Sequence, residues 1–431
     1  MTADPTPQDA AAAVAARLGA AADAAHQACA AWIVGGVGPA LVVRPADGAE
    51  LAAAVGAVAA AGGALVPLGR GAHRDYGHAP RRYDVALVVD RLTRILEYEP
   101  ADMTVSVAAG VTVSELAAVL AREGQWLAID TPLPAATTIG GLVAADRSGW
   151  LAASLGRVRD AVIGIGAVTA DGVRVRAGGR VVKNVAGYDL MKLAVGSLGT
   201  LAVLTDVTLK VRPLPERQHG LVLGADTVAA ALGLGAAIEG GLGVAATGVI
   251  GGAADAAAVV VRLGGVAADV GVRRARVREL ARRYGATVQL DADAAAPDVD
   301  ASFVAVRDFA ASAAGEMVVR LACLPTRLAT VVTAATAALA RVDGTWQADP
   351  HRGVAYLAFT AGGAATAALG DLARTADAHG AHLVVERWPP ALASRIQVWH
   401  PLPPALALMR RMKSALDPAG VLAPGRFVGR I

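Results

Sequence analysis

The strongest constraint on the fold is a β-forming run that leads directly into a glycine-rich loop. The run covers 64–67 and the loop covers 68–77, with Gly69, Gly71 and Gly77 inside it. Glycines let a turn present successive backbone N–H groups and let the chain approach a bound phosphate closely. The loop matches neither the GxGxxG fingerprint nor a P-loop. The loop indicates an anion-binding turn, and the alternative interpretation is an ordinary strand-to-helix turn.

Two later segments have a similar chemical character. Thr138, Gly140 and Gly141 follow a stretch with two prolines, and Gly199 precedes a long alternating strand, 201–211. Thr138 is equally suited to cap a helix, and Gly199 to make a tight turn. Thr138 and the two glycines after it suit a phosphate or a flavin edge, and the strand after Gly199 offers backbone N–H and C=O groups to a purine.

The first half of the chain predicts a small parallel α/β unit. We expect a helix over 8–31, a strand at 40–43, and a helix capped by Asp47 that ends near 61. A further helix starts at Thr112 or Ser114, and 131–150 is expected to be a loop.

Beyond 216 the pattern predicts an α+β unit built on an antiparallel sheet, and 291–301 is expected to be a surface loop. The expected strands are 219–223, 244–250, 257–263, 318–322, 354–359 and 382–386, and the expected helices are 226–238, 265–284, 326–340 and 364–379.

Composition excludes several classes of protein. The chain has 431 residues, enough for two or three domains, and its net charge is only +3 with 4% aromatic residues. Neither value favours a nucleic-acid surface. The most apolar uncharged stretch, 240–254, has 15 residues and six glycines, so we expect no transmembrane segment, and we see no signal peptide.

Cysteine and histidine usage limits the cofactors. Cys29 and Cys323 are two cysteines where an iron–sulfur cluster needs about four, so we expect no cluster, no disulfide and a cytoplasmic location. His379 and His382 form one weak pair, and we expect no metal site. Lys183 and Asn184 stand out because the chain has four Lys among 40 basic residues and no other Asn.

The three segments, in this order, resemble the FAD-binding domain of the p-cresol methylhydroxylase/vanillyl-alcohol oxidase family over about 34–215. Within that family, the runs 179–190 and 193–201 (GRVVKNVAGYDL and LAVGSLGTL) look like the FAD-binding E-type subunit of glycolate oxidases. The closing segments 416–418 and 424–426 are similar as well. The resemblance implies an N-terminal segment 1–33, the FAD domain 34–215, an α+β cap 216–400, and a C-terminal helix and tail 401–431 that return to the FAD domain.

The resemblance also implies FAD in an extended pose, and with it a set of site residues. The pyrophosphate would be held by Gly69, Arg70, Gly71, Ala72 and His73; the flavin and ribityl side by Thr131, Thr138, Gly140 and Gly141; a further contact loop by Ser148 and Gly149; the adenine side by Gly199, Thr200 and Val203. Lys183 and Asn184 would order a loop near the cofactor. In this family a histidine at the place of His73 sometimes links covalently to the flavin, and we expect a noncovalent contact here.

The chain departs from the catalytic members of this family, because it lacks their His-rich HxGDGNxH-like segment. The corresponding strand, 353–359, offers no evident base, although Arg352, Arg387 and Arg395 are available to hold an acid. We therefore expect a flavoprotein subunit of a glycolate oxidase complex that acts on a small 2-hydroxy acid with a D-type flavoprotein subunit and an iron–sulfur subunit. A free-standing FAD oxidoreductase and a flavin-free structural subunit remain as alternatives.

Overall fold

The first sheet contains the predicted parallel unit. The computed structural model of the chain describes residues 6–19, 22–23, 29–179, 189–252, 255–312, 317–339, 341–393 and 395–431. Strands β2 and β3 both run parallel to β4, and the short β1 pairs antiparallel with β2 at the edge. Their bounds are Ala22–Asp23 (β1), Leu41–Val43 (β2), Leu65–Leu68 (β3) and Val85–Val88 (β4).

The second sheet is antiparallel and has the strand order β5-β6-β10-β8-β9. The strands are Ile95–Glu99 (β5), Thr104–Ala108 (β6), Val162–Val168 (β8), Arg174–Gly178 (β9) and Val203–Lys210 (β10), while Gln125–Trp126 (β7) and Arg212–Pro213 (β11) form a separate pair. Residues of the first two sheets share one buried hydrophobic core that includes Leu65, Val107 and Val207.

Helices in this half begin at the capping residues that the sequence contains. Asp47 accepts hydrogen bonds from the backbone of Ala49 and Glu50, and Thr112 accepts one from Glu115. The helices are Pro7–Leu18 (α1), Gly48–Ala60 (α2), Val113–Ala121 (α3), Ile139–Ala145 (α4), Ala152–Leu155 (α5), Val158–Ala161 (α6) and Met191–Ala194 (α7).

The region after 216 contains a nine-stranded antiparallel sheet of order β15-β12-β14-β13-β17-β18-β16-β19-β20, so the expected α+β architecture is confirmed. Its strands are Arg217–Ala225 (β12), Ala246–Gly251 (β13), Ala257–Gly265 (β14), Thr287–Asp293 (β15), Met317–Ala322 (β16), Gly344–Asp349 (β17), Val354–Phe359 (β18), His382–Arg387 (β19) and Trp399–His400 (β20). The helices are Val228–Leu242 (α8), Ala267–Arg283 (α9), Pro297–Ser312 (α10), Leu328–Leu339 (α11), Ala365–His379 (α12) and Leu406–Leu416 (α13).

The end of the chain returns to the first sheet. Leu422 forms a parallel bridge with Leu65, next to β3. Asp417 is buried and accepts hydrogen bonds from the backbone of Val421 and Leu422, both at 2.8 Å. Lys413 pairs with Asp417 and also donates to the Thr200 carbonyl at 2.8 Å. This buried polar network fixes the final segment beside the glycine-rich loops.

A small apolar cluster joins the nine-stranded sheet to the first half of the chain. Trp150 and Leu151 pack with Val222 and Val260 of the sheet and with Phe303 of α10. The Trp150 and Phe303 rings meet edge-on at 6.0 Å. The loop that carries Trp150 is therefore held between the two parts of the molecule.

Several sequence expectations were wrong. The helix expected over 8–31 ends at Leu18, because Gly19 turns the chain with φ +58° and Ala22 then pairs with β2. The loop expected at 131–150 contains α4, since its apolar residues pack in the core. The loop expected at 291–301 is divided between β15 and α10. Strands β15, β17 and β20 were not expected.

Among the described residues, no helix combines the length and apolar composition that a bilayer crossing requires. The same residues hold no group of three His, Cys, Asp or Glu side chains placed to share a metal ion.

Candidate functional site

The glycine-rich loop after β3 forms one wall of a cleft. The other walls come from α4 with the residues before it, and from the turn that precedes β10. The cleft brings together ten of the residues expected from sequence: Gly69, Arg70, Gly71, Ala72, His73, Thr138, Gly140, Gly141, Gly199 and Val203.

Glycines allow the walls of this cleft to pack against each other. A β-carbon at Gly69 would lie 2.2 Å from the Thr138 hydroxyl oxygen, and one at Gly199 would lie 2.3 Å from Pro67. Gly71 has φ +83°, a backbone conformation that favours glycine, and a β-carbon there would have no neighbour closer than 3.8 Å. Gly69 and Gly199 thus serve close packing, and Gly71 allows the turn.

Thr138 fulfils both of the roles that its sequence position left open. Its hydroxyl caps α4 by accepting a hydrogen bond from the Gly141 N–H at 3.1 Å, and the residue also lines the cleft. A β-carbon at Gly141 would lie 3.0 Å from this hydroxyl and 3.8 Å from the His73 ring. A β-carbon at Gly140 would instead lie 2.8 Å from Ala109, so Gly140 allows tight packing against the core.

His73 carries the best test of whether a phosphate-containing cofactor fits this cleft. Its Nε2 is shielded from solvent and has no hydrogen-bond partner among the described residues. Burial, with a smaller contribution from the Arg147 charge, lowers the pKa of His73 to about 3, so the ring is neutral at pH 7. A shielded ring nitrogen without a partner suits an anionic oxygen, and the glycine loop beside it supplies N–H groups, so the residues fit the pyrophosphate of a dinucleotide.

Arg426 shapes the same loop and was not expected as a site residue. It is buried, lines the cleft, and donates to the carbonyls of Tyr76 at 2.5 Å and Arg74 at 3.2 Å. Burial lowers its pKa to about 10, so the guanidinium stays charged. The sequence signal was its place in the closing segment 424–426, directly after a glycine.

Four residues expected in the cofactor site do not line this cleft. Thr131 is buried, and its hydroxyl has no hydrogen-bond partner among the described residues. Thr200 is buried and donates to the Ser197 carbonyl at 2.7 Å. Ser148 and Gly149 line a second cavity. Lys183 and Asn184 lie outside the described residues.

The second cavity, of about 1120 Å³, lies between the 145–150 loop and the nine-stranded sheet. Ala145 borders both cavities, so the two adjoin. The charged residues that line the second cavity are five arginines and three carboxylates: Arg147, Arg157, Arg307, Arg320, Arg352, Asp146, Asp349 and Glu386. Arg307 is held by Asp308, outside the lining, which leaves four arginines facing three carboxylates and an excess of one positive charge.

Two arginines converge on one buried carboxylate in this cavity. Glu386 pairs with Arg147 through one oxygen and with Arg320 through the other, at 2.6 Å for Arg320. The Glu386 side chain is 2% exposed, against 13% and 24% for the two arginines. Arg147 also lies over the Tyr76 ring at 5.1 Å, and Arg320 hydrogen-bonds the Tyr76 hydroxyl. One buried carboxylate thus holds the two guanidinium groups close together.

Of the three arginines that the sequence offered for an acid, the structure places one in this cavity. Arg352 lines it and donates to the carbonyls of Ser148 and Gly149 at 3.0 and 2.7 Å. Arg387 instead donates to the Ala311 carbonyl, and Arg395 is exposed. The strand that seemed to offer no base, β18, places the phenol of Tyr356 in the lining.

Residues 39–178 match the family described as "FAD binding domain". Together with the fit of the cleft, this match means that the chain contains an FAD-binding domain. Among curated proteins, the chain is 34% identical over 158 residues to glycolate oxidase subunit GlcD of Bacillus subtilis, covering 37% of this chain and 34% of that protein. It is 40% identical over 128 residues to glycolate oxidase subunit GlcE of Escherichia coli, covering 30% of this chain and 37% of that protein. The chain thus spans about a third of the length of these relatives.

Solved structures share the fold over almost the whole chain. p-Cresol methylhydroxylase with substrate bound superposes with a TM-score of 0.76 at 15% identity, covering 98% of this chain and 97% of that one. An alkyldihydroxyacetonephosphate synthase superposes with a TM-score of 0.71 at 16% identity, covering 94% of this chain and 82% of that one. The FAD-binding fold expected from sequence is confirmed, while the choice of E-type over D-type subunit is not, because both match.

In the flavin-free protein, we expect the free energy of unfolding to fall as the pH decreases from about 6.5 toward 3. Native His73 stays neutral in this range, with a pKa near 3 against an ordinary 6.5, while the unfolded chain gains a proton. In His73→Gln, the free energy of unfolding, measured with urea at several pH values, should depend less steeply on pH. Part of the pH dependence should remain, because burial also lowers the pKa of His78 to about 4. Bound FAD should also reduce the slope, because a pyrophosphate raises the pKa of His73. Equal slopes in wild type and variant would contradict this placement.

Proposed function

We propose that this chain is the FAD-binding flavoprotein subunit of a glycolate oxidase-type complex, which oxidises a small 2-hydroxy acid in the cytoplasm with partner subunits. The observation that carries the proposal is the junction of the two cavities at Ala145: a glycine-walled cleft for a dinucleotide adjoins an arginine-lined cavity for a carboxylate. Such a pairing supports electron transfer from an anionic substrate to a flavin.

In this proposal, the pyrophosphate lies at the 69–73 loop, where His73 Nε2 and the backbone N–H groups provide donors. The flavin and ribityl side lies along Thr138 and Gly141, and the adenine side along Gly199 and Val203. When bound, FAD supplies the two-electron acceptor of the reaction. Thr131 and Thr200 are buried and do not line the cleft, so this proposal gives them no contact with the cofactor.

The substrate carboxylate is bound by Arg147 and Arg320. A guanidinium donates five N–H groups in a plane, so binding to Glu386 does not exhaust either side chain. Glu386 keeps the two cations together in the empty cavity and reduces the electrostatic cost of burying them. A ligand carboxylate then adds the negative charge that balances the excess of the lining.

The partners follow from what this chain lacks. The chain has two cysteines, Cys29 and Cys323, which are too few for an iron–sulfur cluster, so we propose that electrons leave to an iron–sulfur subunit and that a D-type subunit carries most of the substrate chemistry. The alternative is a free-standing oxidoreductase. It is favoured by the likeness to the mitochondrial D-lactate dehydrogenase of Arabidopsis thaliana, 38% identical over 160 residues, or 37% of this chain and 27% of that protein.

The isolated, FAD-loaded chain is expected to oxidise glycolate and D-lactate slowly or not at all with an artificial electron acceptor. The described residues that line this cavity include no histidine, and in this proposal the D-type subunit carries most of the substrate chemistry. Steady-state turnover should be measured for the chain alone and after co-expression with D-type and iron–sulfur subunits. Rapid turnover by the chain alone would support the free-standing enzyme, and no turnover in either preparation would contradict the proposed function.

A further inference from the structure

Asp146 lies where the two cavities meet. It follows Ala145, which borders both, and its own side chain lines the arginine-rich cavity. It caps the C-terminus of α4 with φ 48° and ψ 43°, in the left-handed region that Asp tolerates better than most residues. Its N–H donates to the Val143 carbonyl at 3.2 Å, and its carbonyl accepts from Ser148 at 3.0 Å. The backbone thus holds this side chain in a defined position.

The two oxygens of the Asp146 carboxylate have different surroundings. Oδ2 accepts a hydrogen bond from Arg157 at 2.6 Å. Oδ1 is shielded from solvent and has no hydrogen-bond partner among the described residues. The other carboxylates of the cavity differ: both oxygens of Glu386 face arginines, while Asp349 accepts two backbone N–H groups at Oδ1 and lies 3.9 Å from Arg352 at Oδ2. A shielded acceptor atom without a donor is available to receive a proton from a ligand.

The charges around Asp146 come from several elements. Arg157 precedes α6 and Arg159 lies within it, while Arg352 and Arg320 belong to the nine-stranded part of the molecule. Burial raises the pKa of Asp146, and the opposing effect of Arg157, Arg159 and Arg352 is smaller. A carboxyl with a raised pKa in a cleft is a stronger base than an exposed one and fits proton-transfer chemistry.

We propose that Oδ1 of Asp146 is the proton acceptor for the substrate hydroxyl. This inference rests on the proposed function, because it needs a 2-hydroxy acid bound between Arg147 and the flavin end of the cleft. As the carbonyl forms, the O–H proton would move to Oδ1, and FAD held in the adjoining cleft would supply the acceptor for the hydride from C2. One proton and one hydride leave the alcohol, which becomes a 2-oxo acid, and Asp146 then returns its proton to solvent.

Asp146→Asn tests this role, because the amide is nearly isosteric and cannot accept the proton. With FAD-loaded protein mixed anaerobically with glycolate, flavin bleaching in the variant should be slower by roughly 10²- to 10⁴-fold, the range for a general base. FAD content and the dissociation constant for oxalate, read from flavin absorption, should change less than about threefold. Asp171→Asn is the control: it removes a carboxylate from the turn between β8 and β9, outside both cavities, and its bleaching rate should stay within about threefold.

Arg157→Gln provides a second readout. Arg157 lowers the pKa of Asp146, so its removal should move the pH profile of bleaching to higher pH. When Arg157→Gln is titrated without substrate, the absorption of the bound flavin should report protonation of Asp146 at the same higher pH. In Asp146→Asn this change in absorption should be absent.

The outcomes separate this inference from the proposed function. If wild-type flavin is bleached by glycolate and Asp146→Asn bleaches equally fast, Asp146 is not the acceptor. A slow Asp146→Asn variant with an unmoved pH profile in Arg157→Gln also overturns the assignment. If wild-type flavin is not bleached in the chain or in the complex, the substrate class itself is wrong.

Discussion

Replacing Arg147 by Met is expected to weaken oxalate binding to the FAD-loaded chain by roughly 10- to 150-fold. A hydrogen bond to a charged group contributes about 1.5–3 kcal/mol, and each 1.4 kcal/mol is about tenfold in affinity. Arg147 is 13% exposed, so water replaces little of this interaction. The dissociation constant is measured from the change in flavin absorption as oxalate is added, since the ligand binds in the cavity next to the cofactor cleft.

Arg307→Met is the matched control for the Arg147 variant. Arg307 lines the same cavity, but Asp308 already engages its guanidinium through two hydrogen bonds, at 2.8 and 2.9 Å. Both variants remove one positive charge from the cavity, so a general electrostatic effect would appear in both. Equal losses in the two variants, or no loss in either, would contradict a carboxylate site at Arg147.

Replacing Gly141 by Phe is expected to reduce FAD affinity by roughly 10²- to 10⁴-fold while the chain stays folded. A β-carbon at this position would lie between Thr138 and His73, so a larger side chain fills the cleft. The loss corresponds to about two charge-assisted hydrogen bonds at 1.5–3 kcal/mol each. Gly141 lies in α4, where replacing glycine favours the helix by up to about 1 kcal/mol, so loss of flavin is not expected to reflect unfolding.

Gly271→Phe is the control for this substitution. Gly271 lies in helix α9, and a β-carbon there would meet no atom within 4 Å. Gly271→Phe should match wild type both in flavin content per folded chain and in its circular dichroism spectrum. Gly141→Phe should match wild type only in its circular dichroism spectrum. Full flavin content in Gly141→Phe would show that the cofactor lies elsewhere. Gly140 is a poorer test, because a side chain there would meet Ala109 in the core.

The sequence predicted the cofactor cleft better than the substrate cavity, and the reason is locality. The cleft is built from short segments in which glycines or a capping threonine act within a few residues, as at Gly71 and Thr138. Asp47 and Thr112 fixed helix starts in the same local way. Patterns of this kind can be read from sequence because each constraint lies within one turn of the chain.

The substrate cavity could not be predicted, because it depends on contacts between distant parts of the chain. Arg147 follows α4, whereas Arg320 and Glu386 lie on β16 and β19, which pair with each other only after the nine-stranded sheet forms. Nothing near any of these residues marks it as one member of a buried cluster. Asp146 and Arg147 stood in a segment that was expected to be a loop, so their charges had no assigned surroundings.

All of these proposals require FAD in the cleft between the 69–73 loop and α4. The most direct measurement is to purify the chain, denature it with acid, and identify the released cofactor by mass. We predict one FAD per chain, released into the supernatant above a colourless pellet, because the proposed contact of His73 with the cofactor is noncovalent. FMN alone, or a fully folded chain without flavin, would contradict the account. A yellow pellet that becomes colourless in His73→Ala would show a covalent link in place of the predicted contact.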